Sequence, residues 1–363
     1  MRSLLFLIEN IQVRRLLERS FHAKIREKGR VIGMIKVDLI TGFLGSGKTT
    51  FIRKYASYLV EKGMKVGIIE NDFGAINVDM VMLSDLDSEM CDIEQIVGGN
   101  VEADWKRRFK AKLIAMAMQG LKRVVVEPSG IYDVDAFFDV LYEEPVSNWY
   151  EPGNIFTIVD ARVEDDLSKQ ARYLMTSQIA NAGAIIFSKA QEAAPEQIQE
   201  SIKRLNGMLE EFHSNRTLTD EVITKPWDEL TPEDYEKLLN CGWHSADHEK
   251  LWFDHNDAFT SLFFMNVHMA ADQVKSTVEK LFADKKCGQI FRVKGFFQQA
   301  DGRWIEINAT KDSFSMKTIE QAQEVVIVIG QGLVEEEIRI YFQKKRDSEG
   351  YDKQSGNHIS RDT

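Results

Sequence analysis

From Met34 onward, short apolar runs alternate with longer amphipathic segments. Ile35 to Ile40, Lys65 to Glu70, Arg123 to Glu127, Asn154 to Asp160 and Ala184 to Ser188 have the length and apolar content of buried strands. Lys48 to Lys62, Asp104 to Gln119, Asp165 to Ala180 and Pro195 to Leu209 read as helices. Strands alternating with helices predict an α/β fold whose mostly parallel sheet is covered on both faces.

A polar, loop-rich stretch follows, broken by a helix that Thr231, Pro232, Glu233 and Asp234 announce. The threonine caps, the proline takes the first helical position and the acids meet the positive end of the helix dipole. Beyond it come strand Ser261 to His268, helix Ala271 to Ala283, strands Gln289 to Phe297, Trp304 to Ala309 and Glu324 to Ile329, and helix Glu335 to Phe342. That is a smaller C-terminal α+β domain. The expected division is an extension over 1–33, a first domain over 34–212, a linker over 213–258, a second domain over 259–343 and a disordered tail over 344–363.

Composition narrows the function. The net charge is −11 over 363 residues, which argues against a protein that tracks nucleic-acid phosphates. Cys91, Cys241 and Cys287 lie far apart and form no C-x-x-C pair, so a reducing, cytoplasmic setting is expected. No apolar run is long enough to span a membrane. Residues 1–33 are locally basic, and they read as poorly ordered sequence ahead of a true start at Met34.

The chemistry begins in "VDLITGFLGSGKTTF". Gly42, Gly47, Lys48 and Thr49 fit G-x-x-x-x-G-K-[ST] between a predicted strand and a predicted helix. Such a turn lets successive backbone N–H groups point at phosphate oxygens, and the helix start faces the same anion. Gly42, Gly45, Ser46, Gly47, Lys48, Thr49 and Thr50 are therefore the candidate phosphate cradle. Lys48 would reach the β and γ phosphates, and the Thr49 hydroxyl would bind Mg²⁺. Glu127 ends the strand "VVVE" and is the candidate second metal ligand or water organiser. Glu70, Asn71 and Asp72 reach the same rim, and Asp72 heads a natural switch segment.

Taken with "ENDFGAINVD", "EPSGIYDV" and the C-terminal "FRVKGFF" and "VVIVIGQGLVEEEIRIYF", this sequence resembles the CobW/HypB/UreG family of P-loop GTPases, in its CobW-like branch, over about residues 35 to 343. The resemblance implies a GTPase that binds GTP with Mg²⁺ and delivers ions such as cobalt or zinc to a client protein. It also implies a G-C-x-C-C motif after the switch region. This chain has Gly99, Asn100, Val101, Glu102 and Ala103 there, so the thiolates are missing and with them the preference for zinc or copper(I).

Glu94, Glu102 and Cys91 remain as weak ligand candidates, as do His244, His248 and His255, although solvated residues are the simpler reading of both groups. The base-reading N/T-K-x-D of GTPases corresponds to Ser188, Lys189, Ala190 and Gln191. A neutral amide at Gln191 weakens the two-point, charge-assisted readout of guanine. The leading expectation is a slowly hydrolysing GTP switch with Lys48, Asp72 and Glu127 as its catalytic residues. The alternatives are a nucleotide-dependent binding module, on a corrinoid or methyltransferase-type partner, that has lost metal handling, and a small-molecule kinase. Self-association into a homo-oligomer stays open.

Overall fold

Six buried positions out of seven make Ile35–Thr41 (β1) a central strand, and Arg123–Glu127 (β4) and Ala184–Ser188 (β6) are buried at every position. The computed structural model describes residues 33–72, 83–97, 102–128, 134–165, 167–219, 221–245, 260–265, 267–311, 313–319 and 324–342. With Val66–Asp72 (β2), Cys91–Val97 (β3), Tyr150–Asp160 (β5) and Val222–Ile223 (β7), these strands form a seven-stranded sheet in the order β3-β2-β4-β1-β5-β6-β7. Every pairing in it is parallel.

Each face of the sheet carries its own core, which is why its strands are apolar on both sides. One face packs Val37, Leu39, Val124, Val126 and Phe187 against helices Glu102–Met116 (α2), Asp135–Tyr142 (α3), Lys169–Asn181 (α4) and Pro195–Glu211 (α5). The other packs Ile40, Ile68, Val125, Phe156 and Ile186 against Lys48–Glu61 (α1) and Pro232–Leu239 (α6). A charged pair sits inside this apolar packing: Asp38 on β1 is fully buried and paired with Arg123 on β4.

A second, five-stranded sheet is antiparallel throughout. Its order β11-β10-β9-β12-β8 comprises Ser313–Ile319 (β11), Trp304–Thr310 (β10), Gln289–Gln298 (β9), Val325–Gln331 (β12) and Thr260–Met265 (β8). Ala271–Ala283 (α7) and Glu335–Phe342 (α8) cover one face of it through Val274, Val278, Leu281, Ile338 and Phe342.

Of the stretch expected as a linker over 213–258, the described residues 221–243 pack on the first domain. Strand β7 extends the parallel sheet, Trp227 packs edge-on against Phe51 at 5.4 Å, and Tyr235 stacks on Tyr58 at 4.7 Å. Gly242 donates its N–H to Asn154 Oδ1, and its carbonyl accepts from Ile155 N. The segment is polar on average, yet it spaces Val222, Ile223, Trp227, Tyr235, Leu238 and Leu239 so that each meets the first domain. The Thr231 cap forms as expected, accepting from Asp234 N while the Asp234 carboxylate accepts from Thr231 N. Strands β3 and β11 and helix α3 were not among the expected elements. The extension before residue 33, the tail after 342 and residues 73–82 and 98–101 lie outside the described residues.

Candidate nucleotide site

The carboxyl ends of β1, β2, β4, β5 and β6 deliver Thr41, Asp72, Glu127, Asp160 and Ser188 to one edge of the sheet, where open parallel sheets hold ligands. The glycine loop leaves β1 there. Gly42 has φ of 146°, and a Cβ on it would lie 2.3 Å from the Ile158 carbonyl oxygen, so no larger residue fits. Gly47 has φ of 95° in the left-handed region and stands at the start of α1. No side chain caps that helix start and no acid occupies its first turn, which leaves a positive end suited to an anion.

Lys48 is buried and folds over the loop, donating to the carbonyls of Gly42 at 3.1 Å and Phe43 at 3.4 Å. Its ammonium lies 4.0 Å from Glu127 Oε1. The Thr49 hydroxyl donates to Glu127 Oε2 at 3.0 Å, so the two residues expected to hold Mg²⁺ are already in contact. Glu127 is 7% exposed and is paired in register with Glu70, 1% exposed, on β2. Two carboxylates inside the edge of a sheet are costly to bury without a cation.

Two buried groups at this edge of the sheet, one of them in the loop, support the fit to a polar ligand. The buried Ser46 hydroxyl has no hydrogen-bonding partner among the described residues. Neither has the Asn71 side-chain amide, at nitrogen or oxygen, one residue before Asp72. Unpaired buried polar atoms are rare, and at a ligand site the ligand completes them. Thr50 is exposed on α1, and the Asp72 side chain lies outside the described structure.

This geometry agrees with the comparisons. The CobW/HypB/UreG nucleotide-binding domain matches residues 36–216, and the Cobalamin synthesis protein cobW C-terminal domain matches residues 266–345. The chain belongs to the CobW/HypB/UreG family. Among its relatives, zinc chaperone YeiR of Escherichia coli K12 is 28% identical over 167 residues, covering 46% of this chain and 50% of that protein. Zinc chaperone YjiA of the same strain is 27% identical over 180 residues, covering 47% and 55%. The chain thus spans about half the length of the curated relatives it matches. The Zn(II)-bound YjiA GTPase structure from E. coli is 20% identical with a TM-score of 0.35, covering 86% of this chain and 100% of that one.

Among the residues expected to meet the base, Ser188 comes to the loop itself: its Cβ is 3.7 Å from where a Cβ on Gly47 would stand. Lys189 holds a left-handed backbone, φ 54°, which costs a non-glycine residue about 1–2 kcal/mol. Its ammonium is fixed at 2.6 Å from Asp160 Oδ2. Asp160 was legible only as a strand-end carboxylate. Gln191 follows in the short turn Ala190–Glu192 and is exposed. Trp227 stands 3.2 Å from the same Gly47 position, although the sequence placed it in a linker. Nothing in its polar surroundings signalled this.

Among the described residues the weak metal candidates do not come together. Glu94 is ion-paired with Lys112, and burial, with Asp87 and Asp92 nearby, pushes the Cys91 thiol up to about 11, where it stays protonated. His244 is not helical; its N–H bonds the Asn181 carbonyl, and burial and Arg216 lower its basicity. The Glu102 side chain, His248 and His255 lie outside the described structure. Among the described residues no three His, Cys, Asp or Glu side chains converge, and no described helix is long and apolar enough to cross a membrane.

Proposed function

We propose that this protein binds GTP with Mg²⁺, hydrolyses it slowly, and uses the nucleotide state as a switch in delivering a metal ion to a client protein. The observation that carries the nucleotide part is the cradle: a loop closed to side chains at Gly42, Lys48 folded over it, and Thr49 tied to Glu127. In the reaction, water attacks the γ-phosphorus, its oxygen–phosphorus bond forms, and the bond to the bridging oxygen of GDP breaks. Lys48 exchanges its loop carbonyls for phosphate oxygens and opposes the charge that builds on them. Thr49 and Glu127 would hold Mg²⁺, which when bound adds positive charge against the same oxygens. Glu127 and Asp72 would orient the attacking water. Lys189 would lie along the base, with Ser188 and Gln191 at its edge.

The delivery part rests on the family and on relatives named as zinc chaperones. This chain's residues narrow it. Without the family's cysteines a cargo ion is left with carboxylate, amide and imidazole ligands, which favour harder ions than thiolates do. The client protein, and any second copy of the chain, belong to the same proposal.

The test is GTP hydrolysis by metal-stripped protein in Mg²⁺ buffer, titrated with Zn²⁺, Co²⁺ and Ni²⁺, with Lys48→Ala as the blank. A saturable change in rate at micromolar ion supports coupled metal handling. A flat response with intact turnover removes the cargo and keeps the switch. Turnover by Lys48→Ala at the wild-type rate refutes the site.

A further inference from the structure

The phosphate loop has two faces. Its backbone N–H groups would serve a ligand on one side, while the side chains of Phe43 and Leu44 line a cavity on another. That side meets the C-terminal sheet. Phe43 packs edge-to-face against Phe291 of β9, ring centroids 5.2 Å apart and planes at 78°. Phe291 is 8% exposed and packs with the core of the first domain, although its strand belongs to the second sheet. One position further along, a Cβ on Gly45 would stand 2.6 Å from Cγ2 of Thr310 on β10. The Thr310 hydroxyl is engaged with Ser313 at 2.7 Å, and its methyl is what the loop touches. Beside these contacts a cavity of about 80 Å³, lined by Phe43, Leu44, Gly45, Met175, Phe291 and Thr310, leaves the loop unpacked on that flank.

We infer that Phe291 and Thr310 are positioning residues for the phosphate loop, so that the C-terminal sheet sets the loop's affinity for nucleotide and senses its occupancy directly. The inference rests on the nucleotide reading above. A loop that meets the C-terminal sheet through a ring and a methyl, beside a cavity, has room to shift when Lys48 releases the carbonyls of Gly42 and Phe43. Any such shift moves Phe43 against Phe291. Linkage then works both ways: whatever binds the C-terminal sheet and displaces Phe291 changes nucleotide affinity by the same factor as nucleotide changes its own.

The experiment measures GDP binding by calorimetry for the full chain, Phe291→Ala, Phe291→Leu and Phe291→Tyr, together with backbone amide exchange of β9 and β10 with and without GDP. Loss of the ring contact in Phe291→Ala should weaken GDP binding about three- to tenfold, the scale of an aromatic pair, and Phe291→Tyr should stay at the wild-type value. GDP should slow exchange in β9 and β10 of the wild type and not of Phe291→Ala. Phe291→Leu keeps apolar volume in the core and serves if the alanine variant fails to fold; it too should lose GDP-dependent protection. Wild-type affinity in both the alanine and leucine variants, or exchange that ignores GDP in the wild type, overturns the inference. A wild-type protein that takes up no GDP at all overturns the nucleotide assignment beneath it, a result distinct from both.

Discussion

The buried Asp38–Arg123 pair should dominate the stability of the parallel-sheet domain, and replacing Arg123 with methionine is the direct perturbation. Asp38 is fully buried and accepts from Arg123 Nη1 at 2.5 and 2.6 Å, from the Tyr55 hydroxyl at 2.8 Å and from Asn154 N at 2.7 Å. Gly153 is the residue that permits this, because a Cβ there would lie 2.2 Å from Asp38 Oδ1. Arg123→Met leaves the carboxylate with two neutral donors and no counter-charge, which costs about 3–5 kcal/mol. Asp38→Asn strands the guanidinium and should cost a similar amount.

The double variant Asp38→Asn/Arg123→Met removes both charges, and the asparagine retains an acceptor for Asn154 N. It should therefore be no less stable than either single variant, giving a coupling energy above about 2 kcal/mol. Urea unfolding followed by circular dichroism measures this. With a slope of about 3 kcal/mol/M, each single change lowers the midpoint by roughly 1–1.7 M. Single losses under about 1 kcal/mol, or a double variant equal to their sum, would refute the reasoning. Because β1 runs from Asp38 into the glycine loop, nucleotide affinity should fall with the same variants.

Gln191→Asp should restore a charged acceptor and raise the preference for GDP over ADP by roughly tenfold or more, from about 1.5–3 kcal/mol for a charged hydrogen bond; competition binding reads it, and an unchanged ratio would place the base elsewhere. Burial alone would raise the Glu221 carboxyl, but its own backbone N–H, the hydroxyl and N–H of Thr219, and Arg216 hold it down at about 2. A carboxyl depressed on folding adds stability above its unfolded value of about 4.3, and that stability is lost as pH falls toward 2. Glu221→Gln should accordingly flatten the stability–pH curve between about pH 5 and 2 while costing stability at pH 7; an unchanged acid limb would contradict the Arg216–Glu221 assignment.

The order of apolar runs by itself determined the alternating architecture, because a strand buried on both faces must be apolar along its length and a covering helix must be amphipathic. The glycine loop was equally legible: Gly42, Gly47, Lys48 and Thr49 are a local pattern, and a strand before and a helix after are enough to give it meaning. Strand β3, with the mixed sequence CDIEQIV at the edge of the sheet, was not legible, since an edge strand needs no continuous apolar run. Segment 222–243 was not either, because average polarity hides six apolar side chains whose value depends on the surface they meet. Only the tertiary structure brought Asp160 to Lys189 and Trp227 to Gly47, across sequence separations no local pattern spans. Only the tertiary structure seated Phe43 on Phe291, a contact between the phosphate loop and a strand of the second sheet that no local pattern links. A local motif fixes what a loop can hold; the packing of distant strands decides which charges, rings and second domain hold the loop.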